Sequence, residues 1–409
     1  MNAERTKPKK ALIVTSIWGF VAKFEQEDVR ILQKLGYEVH FASNQTNPIY
    51  LFSGDVYEQM GIIYHDIHIW QSPLGIKPNA RSIKEVRKII EQEGVELVHC
   101  HTPTGGLVAR LAARKTNARV IYTVHGFHFY QGSGVLHNLF YRSIENFLGR
   151  FTDDIVTINR EDFEAAKRIS HRGSVSQIPG AGLDRKYYYL PSEEERQRAR
   201  EALGYQEDEF IIVQVGEIRE NKNPEVILRA LHMLRNTGTN IIRIRYLLVG
   251  AGKQEEKIRK LVQDLVLTSN VRFCGYQEDV RPYLMAADLM TFPSIREGLG
   301  MAALEAMSTG VPVLAADNRG TREYMRHGIN GYVCQSNSPR EHADWIRRMM
   351  EERSHWADRA IRKRVRLSTL PFEKSRKSEV MEIVYRLAKK SGKGRQSSKT
   401  RESYEPKPL

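Results

Sequence analysis

Two runs of alternating strand-like and helix-like segments dominate this 409-residue sequence. In the first run, short apolar stretches such as "KALIVTS", "YEVHFAS" and "RVIYTVHG" are separated by segments with apolar residues at helical spacing, such as "LFYRSIENFLGRF". The second run begins at "FIIVQVGEI" and ends at "PVLAAD". Strands separated by helices predict parallel sheets with helices on both faces. The sequence therefore predicts an α/β chain with two Rossmann-like, doubly wound domains.

The segment "QIPGAGLDRKYYYLPS" interrupts this alternation with glycines, prolines and tyrosines, which is typical of a linker. We therefore place an N-terminal, acceptor-binding domain at 1–184 and a C-terminal, nucleotide-sugar-binding domain at 185–372. A late helix at 373–390 is expected to pack back on the first domain, and the polar, basic end at 391–409 is expected to be disordered. Because ligands bind beyond the carboxyl ends of parallel strands, we expect the domains to face each other across a cleft.

The formal net charge of +14 favours an acidic partner. We find no helix-turn-helix, zinc-finger or aromatic RNA-binding pattern, so we expect an anionic membrane surface rather than nucleic acid. No apolar run reaches the roughly 20 residues that span a bilayer, and the N-terminus lacks a secretory pattern. Three distant cysteines suggest reduced thiols. These features predict a cytoplasmic protein, peripheral at the inner face of the plasma membrane.

The stretch "SIREGLGMAALEAMSTG" places Glu297 in a strand-to-helix loop and Glu305 inside the following helix. Gly298 and Gly300 allow a ligand to approach the backbone closely. The N–H groups at a helix start suit a phosphate, whereas carboxylates accept hydrogen bonds from hydroxyls. A ligand with hydroxyls on both sides of a diphosphate is a nucleotide sugar, although other ligands fit this chemistry too.

Glu297 and Glu305, with seven residues between them, resemble the E-x7-E motif of family-four retaining glycosyltransferases with the GT-B fold. The surrounding "PSIREGLGMAALEAMSTGVPVLAAD" is similar to that family almost residue by residue, especially to members that build capsular polysaccharide and exopolysaccharide. The resemblance implies that Glu297 contacts the donor sugar and Glu305 the ribose. It also implies that four backbone amides face the sugar and the diphosphate, those of Gly298, Leu299, Gly300 and Met301.

The segment "VGEIRENKNPE" is similar to the place where the family positions an arginine and a lysine against the donor diphosphate. Such cations stabilise the charge that develops on a leaving pyrophosphate. Lys222 matches the lysine. Glu217 stands at the usual arginine position, and Arg219, two residues later, is the candidate replacement.

In "TVHGFHFYQGSG", His125 resembles a family histidine that lies close to the donor sugar and the acceptor. It is expected to hydrogen-bond a sugar hydroxyl or to help the acceptor lose its proton. His128 and Tyr130 are candidate acceptor-binding residues. In "SIWGFV", the resemblance implies that Gly19 approaches the donor phosphate, and Trp18 is a candidate contact for an apolar or lipid-linked acceptor.

Three further patterns carry weaker signals. "LLVGAGKQEE" contains Gly250 and Gly252, half of a dinucleotide fingerprint, which fits a structural turn as well as a nucleotide contact. The resemblance places backbone contacts to the base within 273–280. His99 and His101 lie on one strand face without a second ligand cluster, and there is no D-x-D after an apolar strand. We therefore predict no metal site and metal-independent chemistry.

The resemblance implies a retaining glycosyltransferase that moves a hexose, expected to be N-acetylated, from a UDP-sugar to a saccharide acceptor, expected to stand on a polyprenyl-diphosphate carrier. The UDP-sugar is the donor substrate, and no cofactor is expected. A nucleotide-sugar 2-epimerase of the same fold and a non-enzymatic binder of nucleotide sugar or polyanion remain alternatives. A dinucleotide oxidoreductase is disfavoured because the G-x-G-x-x-G fingerprint is incomplete.

Overall fold

The computed structural model describes residues 8–46, 52–70 and 76–390. The chain forms two compact units. Unit 1 ends at Ala181 and resumes at Ser375, and unit 2 is Gly182–Lys374. The predicted tail at 391–409 lies outside the described residues.

Unit 1 contains one sheet of parallel strands in the order β3-β2-β1-β4-β5-β6-β7. Its strands are β1 (Lys9–Val14), β2 (Tyr37–Ser43), β3 (Ile62–Asp66), β4 (Leu97–Cys100), β5 (Arg119–Val124), β6 (Asp154–Thr157) and β7 (Val175–Gln177). Its first helices are α1 (Phe20–Phe24), α2 (Gln26–Lys34), α3 (Val56–Gln59), α4 (Ile76–Glu93), α5 (Pro103–Ala113), α6 (Val135–Gly149) and α7 (Arg160–Ala166).

The inner strands of unit 1 are buried along most of their length, as expected for a parallel sheet covered on both faces. All four residues of β4 and all four of β6 are buried. The strand order reverses between the neighbouring strands β1 and β4. From β1 the chain adds β2 and β3 on one side of the sheet, and from β4 it adds β5, β6 and β7 on the other side. The carboxyl ends of strands at such a switch point form the usual ligand-binding edge of an open α/β sheet.

Unit 2 repeats this architecture with parallel strands in the order β10-β9-β8-β11-β12-β13. Its strands are β8 (Phe210–Val215), β9 (Ile244–Val249), β10 (Val271–Gly275), β11 (Leu289–Phe292), β12 (Val313–Ala316) and β13 (Gly331–Cys334). Its helices are α8 (Glu193–Ala202), α9 (Pro224–Asn236), α10 (Glu255–Asp264), α11 (Arg281–Ala286), α12 (Met301–Ser308), α13 (Pro339–Glu351), α14 (Arg353–Ala357) and α15 (Arg359–Leu367). Short 3-10 turns lie at Glu220–Lys222, Thr321–Glu323 and Leu370–Phe372.

The last helix, α16 (Lys374–Lys390), belongs to unit 1 from Ser375 onward. It buries an apolar stripe that includes Val380, Met381 and Val384. Lys389, near its end, donates a hydrogen bond to the Leu35 carbonyl at the end of α2. The chain therefore leaves unit 1 after β7, completes unit 2 and returns to finish unit 1.

The predicted pair of Rossmann-like domains is confirmed, and several elements match the sequence pattern residue for residue. "YEVHFAS" is β2 and "PEVILRALHMLRN" is α9. The pattern missed β3, β7 and β13, which lie at sheet edges. β3 is only partly buried, and β7 and β13 are three and four residues long, so each gives a weak apolar signal.

Candidate functional site

The turn between β11 and α12 depends on Gly300. This residue has φ +94° and stands immediately before the first helical residue. A Cβ at Gly300 would lie 2.7 Å from the Phe292 ring and 2.9 Å from the Tyr324 hydroxyl. Only glycine fits both the backbone conformation and the space. No side chain among the described residues caps the start of α12, so its first N–H groups retain the character of an anion site.

Glu297 lies in this turn and forms an ion pair with Lys222. Lys222 Nζ is 2.5 Å from Glu297 Oε1, and both side chains are half-buried. Two further bonds join the same loops: the Asn221 side chain donates to the Arg296 carbonyl at 2.8 Å, and the Ile295 N–H donates to the Asn221 carbonyl at 2.8 Å. The β8–α9 loop and the β11–α12 loop therefore form one structure with a lysine and a glutamate in contact.

Side chains of β8 and β9 hold the backbone of Lys222 in position. The Gln214 side chain donates to the Lys222 carbonyl at 2.9 Å and accepts a bond from the buried Tyr246 hydroxyl at 2.5 Å. Arg219 lies elsewhere on the loop, with its Nε 3.5 Å from Glu217 Oε2 and both side chains half exposed. Of the two predicted diphosphate cations, Lys222 contacts the Glu297 carboxylate, whereas Arg219 pairs with Glu217.

The β12–α13 segment supports the Glu297 loop, and the sequence analysis did not identify it. The Asn318 side chain donates to the Ser294 carbonyl at 2.9 Å, and Arg319 Nε lies 3.4 Å from the Glu297 carbonyl. Gly320 allows this close packing, because a Cβ there would lie 2.9 Å from the Leu299 carbonyl oxygen. The string "DNRGT", a turn composition directly after a buried strand, was the available signal.

Glu305 lies inside α12 and interacts with Tyr188, a residue of the segment interpreted as a linker. The Tyr188 side chain is hydrogen-bonded to Glu305. Burial, with the Glu305 carboxylate adding to it, raises the pKa of Tyr188 well above its usual value. The tyrosine run thus contributes directly to the surroundings of a predicted ribose-binding glutamate.

Gly250 and Gly252 are explained by packing. A Cβ at Gly250 would lie 2.0 Å from the Gly216 carbonyl oxygen, and one at Gly252 would lie 2.3 Å from the Ile218 carbonyl oxygen. These glycines let the β9 loop lie against the β8 loop that carries Lys222. At the neighbouring strand end, the Gly275 carbonyl accepts from the Gly250 N–H at 2.8 Å, which places the segment 273–280 at the same sheet edge.

Unit 1 has its own cluster at the ends of β4 and β5, centred on His125. His125 Nε2 lies 3.2 Å from His101 Nδ1, and His101 Nδ1 lies 3.7 Å from Glu25 Oε1. The Phe20 ring packs edge-on against His125, with ring centroids 5.2 Å apart. Directly after His101, Thr102 has φ +61°, a strained conformation for a residue other than glycine.

Helix α16 supplies the charge behind this cluster. Lys377 Nζ is 2.6 Å from Glu25 Oε2 and 3.3 Å from Asp28 Oδ1, and all three side chains are buried. The Tyr385 hydroxyl donates to Asp28 at 3.2 Å and lies 2.7 Å from His99 Nδ1. A buried network thus connects the last helix to the end of β4.

The protonation of the histidines follows from this network. Burial lowers the pKa of His125 to about 4, with the Lys377 charge adding to the effect, and burial lowers the pKa of His101 well below its usual value. Both rings are therefore neutral at pH 7. Because the Glu25 carboxylate can only accept, we assign the shared proton to His101 Nδ1. His125 then accepts on Nε2 and carries its own proton on Nδ1, from which it can donate to a ligand.

Glu25, His101 and His125 also place three potential metal-ligand atoms within 4.8 Å of one another. Two imidazoles and one carboxylate are a donor set that zinc accepts. The Glu25 carboxylate is, however, already bound to the Lys377 ammonium. The cluster therefore contains its own cation, the Lys377 ammonium. The sequence analysis did not predict that Glu25 and Lys377 lie beside the histidines.

The other predicted residues of unit 1 occupy different positions. Trp18 does not present an apolar face: it is buried, packs edge-on against Tyr57 at 5.6 Å between centroids, and forms part of the core. Gly19, also buried, precedes α1 with an ordinary φ of −75°. His128 stacks on Tyr141 of α6 at 5.0 Å, and the Tyr130 N–H donates to the Asn138 side chain at 3.1 Å. The last two predicted residues therefore lie beside α6.

Two family models match this chain. Residues 22–174 match the glycosyl transferase 4-like domain, and residues 195–366 match glycosyl transferases group 1. A protein of Bacillus subtilis named as glycosyltransferase EpsD is 34% identical over 384 residues, 92% of this chain and 96% of that protein. This chain belongs to the glycosyltransferases.

Further relatives and solved structures agree with this assignment. A UDP-Gal:alpha-D-GlcNAc-diphosphoundecaprenol alpha-1,3-galactosyltransferase of Escherichia coli is 26% identical over 264 residues, 63% of this chain and 67% of that protein. HepE of Anabaena, solved with UDP-glucose, superimposes with a TM-score of 0.73 at 20% identity, over 92% of this chain and 99% of HepE. Sucrose-phosphate synthase of Thermosynechococcus elongatus gives 0.75 at 20% identity, over 94% of this chain and all of that one. The predicted GT-B fold class is confirmed. Within the described ranges, no helix combines the length and apolarity needed to cross a membrane.

Proposed function

We propose that this chain transfers a hexose from a UDP-sugar, with retention of configuration, to a saccharide acceptor during synthesis of a surface polysaccharide. The observation that carries the proposal is the ion pair between Lys222 of the β8–α9 loop and Glu297, which lies in the turn directly before the start of α12. A carboxylate for sugar hydroxyls, an ammonium for phosphate and N–H groups at a helix start for phosphate are the groups that a nucleotide sugar requires.

In this proposal each group of unit 2 has a distinct role. Glu297 accepts hydrogen bonds from the donor sugar, and Glu305 from the ribose, with Tyr188 holding the Glu305 carboxylate. Lys222 lies beside the diphosphate and stabilises the charge that develops as UDP leaves. Arg219 is half exposed and offers a second, more mobile cation for the same diphosphate. The amides from Gly298 to Met301 complete the phosphate site.

In unit 1, we propose that His125 acts as a neutral hydrogen-bond donor to a sugar hydroxyl. The Glu25–His101 pair orients its ring, and burial keeps it neutral. Because the Nε2 atom of His125 is occupied by His101, the ring is poorly suited to accept the proton of the acceptor. The leaving diphosphate therefore takes that proton during attack on the front face of the sugar, and no metal ion is required.

The acceptor is proposed to be a saccharide on a polyprenyl diphosphate, presented at the cytoplasmic face of the membrane. The name of the Escherichia coli relative supports such a carrier, since its acceptor is a diphosphoundecaprenol-linked sugar. The donor is proposed to be an N-acetylated UDP-hexose. His128 and Tyr130 are the acceptor-binding candidates, whereas Trp18 acts by holding the β1–α1 loop in place.

The test is slow hydrolysis of a panel of UDP- and GDP-sugars, N-acetylated and not, by the full chain without added metal. We expect UDP release from one donor and a loss of at least about 100-fold in Glu297→Gln, in the range seen when one transition-state contact is removed. Glu201→Gln, an exposed glutamate on α8, is the matched control and should retain full activity.

Calorimetric binding separates the outcomes when no UDP is released. If the wild type binds a donor and Glu297→Gln binds it more weakly, the proposed donor site is supported. The lack of UDP release would then be due to the absence of the acceptor. Absence of binding to every nucleotide sugar would refute the proposal. Analysis of the released sugar completes the test: a 2-epimer formed from the donor alone would identify the epimerase alternative instead.

A further inference from the structure

Helix α6 of unit 1 exposes the apolar side chains that a helix of a globular domain normally buries. The exposed fraction is 83% for Val135, 82% for Leu136, 61% for Leu139, 52% for Phe140 and 48% for Phe147. In the whole 15-residue helix, only Leu148 and Gly149 are buried. Contiguous exposed apolar residues of this kind mark interaction sites.

Four of these five side chains form one stripe. Leu136, Leu139, Phe140 and Phe147 stand at positions i, i+3, i+4 and i+11, which share one face of an α-helix. Ser143 fills the remaining position of the stripe, at i+7. The stripe therefore extends for about three turns along one face, with Ser143 as its one polar member.

The inward side of α6 is held by polar contacts. The Glu145 carboxylate accepts from the buried Arg110 guanidinium at 2.8 Å, and the Asn138 side chain donates to the Tyr130 carbonyl at 3.1 Å. At the end of the helix, Gly149 permits close packing on the Ser170 backbone, where a Cβ would lie 1.9 Å from the carbonyl oxygen. Leu148 and Tyr141 also pack on this side, so α6 carries apolar residues on its inward side and a second apolar face that points away from the unit.

The charges beside the stripe are positive. Arg142 and Arg150 are exposed, and the one acidic residue of α6, Glu145, points to Arg110. An isologous contact between two copies would bring these arginines together without an acidic partner on the helix. An anionic bilayer offers both a phosphate layer for the arginines and an apolar layer for the stripe.

We propose that α6 docks this domain on an anionic membrane, with its apolar stripe at the boundary between headgroups and acyl chains and Arg142 and Arg150 among the lipid phosphates. The helix lies in the plane of the interface and does not span the bilayer. Docking goes beyond sugar transfer and does not depend on it, because it requires neither donor nor acceptor.

The test is sedimentation of the full chain with vesicles of phosphatidylcholine that contain about 30 mol% phosphatidylglycerol as the anionic lipid. We expect the double variant Leu136→Glu, Phe140→Glu to bind at least about tenfold more weakly than the wild type, because two apolar anchors are replaced by anionic groups. Ile242→Glu, a control in unit 2 with 69% exposure of the native side chain, should bind as the wild type does. The double variant Arg142→Gln, Arg150→Gln should bind the anionic vesicles more weakly than the wild type does. It should bind vesicles of phosphatidylcholine alone as the wild type does.

Insertion has its own signal. In Phe140→Trp, tryptophan emission should shift to the blue on vesicle addition and be quenched by brominated acyl chains, relative to the unsubstituted protein. Unchanged vesicle binding by the double glutamate variant, or no quenching, would overturn the proposal. A dimer in solution that this variant dissociates, without any vesicle binding by the wild type, would assign the stripe to a second copy and overturn it equally.

Discussion

Replacement of Gly300 by alanine tests whether the turn before α12 is as tightly determined as its geometry indicates. The new methyl group would meet the Phe292 ring at 2.7 and 2.8 Å and the Tyr324 hydroxyl at 2.9 Å. These neighbours are buried, and Phe292 ends the strand β11, so neither can move away freely. The substitution should therefore destabilise unit 2 and displace the start of α12.

Two terms make up the expected loss of stability. An L-residue in the left-handed region costs roughly 1–2 kcal/mol. Overpacking a buried site typically costs about 1–3 kcal/mol. Alanine gains back about 0.4–1 kcal/mol by restricting the unfolded chain. The net free energy of unfolding should fall by about 3 kcal/mol, within a range of about 1–5 kcal/mol.

Gly328→Ala is the matched control. Gly328 has φ +76° in the same unit, but a Cβ there would have no atom within 4 Å. It carries the backbone cost alone, so it should lose about 1 kcal/mol. Hydrogen exchange of peptides that cover β11 and β12 measures unit 2 separately from unit 1. Equal losses in the two variants would refute the steric reasoning, and unchanged UDP-sugar affinity in Gly300→Ala would refute the role of the turn in donor binding.

Three further predictions concern unit 1 and the chemistry. Glu145→Gln should lower the stability of unit 1 by about 3–5 kcal/mol in urea unfolding, because Arg110 is left buried without its partner, and a loss below 1 kcal/mol would contradict this. The pKa of His125 is lowered in the folded state, so its contribution to stability is complete above about pH 6.5 and is lost as the pH falls toward about 4. In urea titrations at several pH values, the free energy of unfolding should fall less steeply between about pH 6.5 and 4 in His125→Asn than in the wild type. An identical slope in the two proteins would argue against a neutral His125 ring. EDTA should leave UDP release unchanged, since Lys377 supplies the positive charge of the Glu25 cluster, whereas inhibition that zinc reverses would establish a metal site.

The sequence pattern was sufficient for the fold class because a buried parallel strand and an amphipathic helix differ strongly in period and apolarity. It also located the strand–turn–helix segment of the proposed donor site, since Glu297, Gly300 and Glu305 lie within nine residues of one another. A motif contained in one such segment needs no knowledge of long-range contacts.

The partners of these residues could not be predicted in the same way. The contact of Lys222 with Glu297 joins positions 75 residues apart, and Tyr188 approaches Glu305 from a segment interpreted as a linker. Trp18 follows the first strand and was a candidate contact for an apolar or lipid-linked acceptor, but its ring is buried against Tyr57. Residues far apart in the sequence come into contact because the sheet places the ends of their strands side by side. The local pattern of the sequence does not contain this information.

The sequence by itself determined the two α/β domains and the glutamate-containing turn, because local periodicity and glycine conformation are written in short segments. Only the tertiary structure decided how the histidine cluster is charged and where α6 points its apolar side. Lys377 reaches Glu25 across 352 positions of the chain, and the stripe of α6 has the same periodicity whether it faces the core or the solvent. Helical periodicity defines a face, but packing against the rest of the domain decides which way that face is turned.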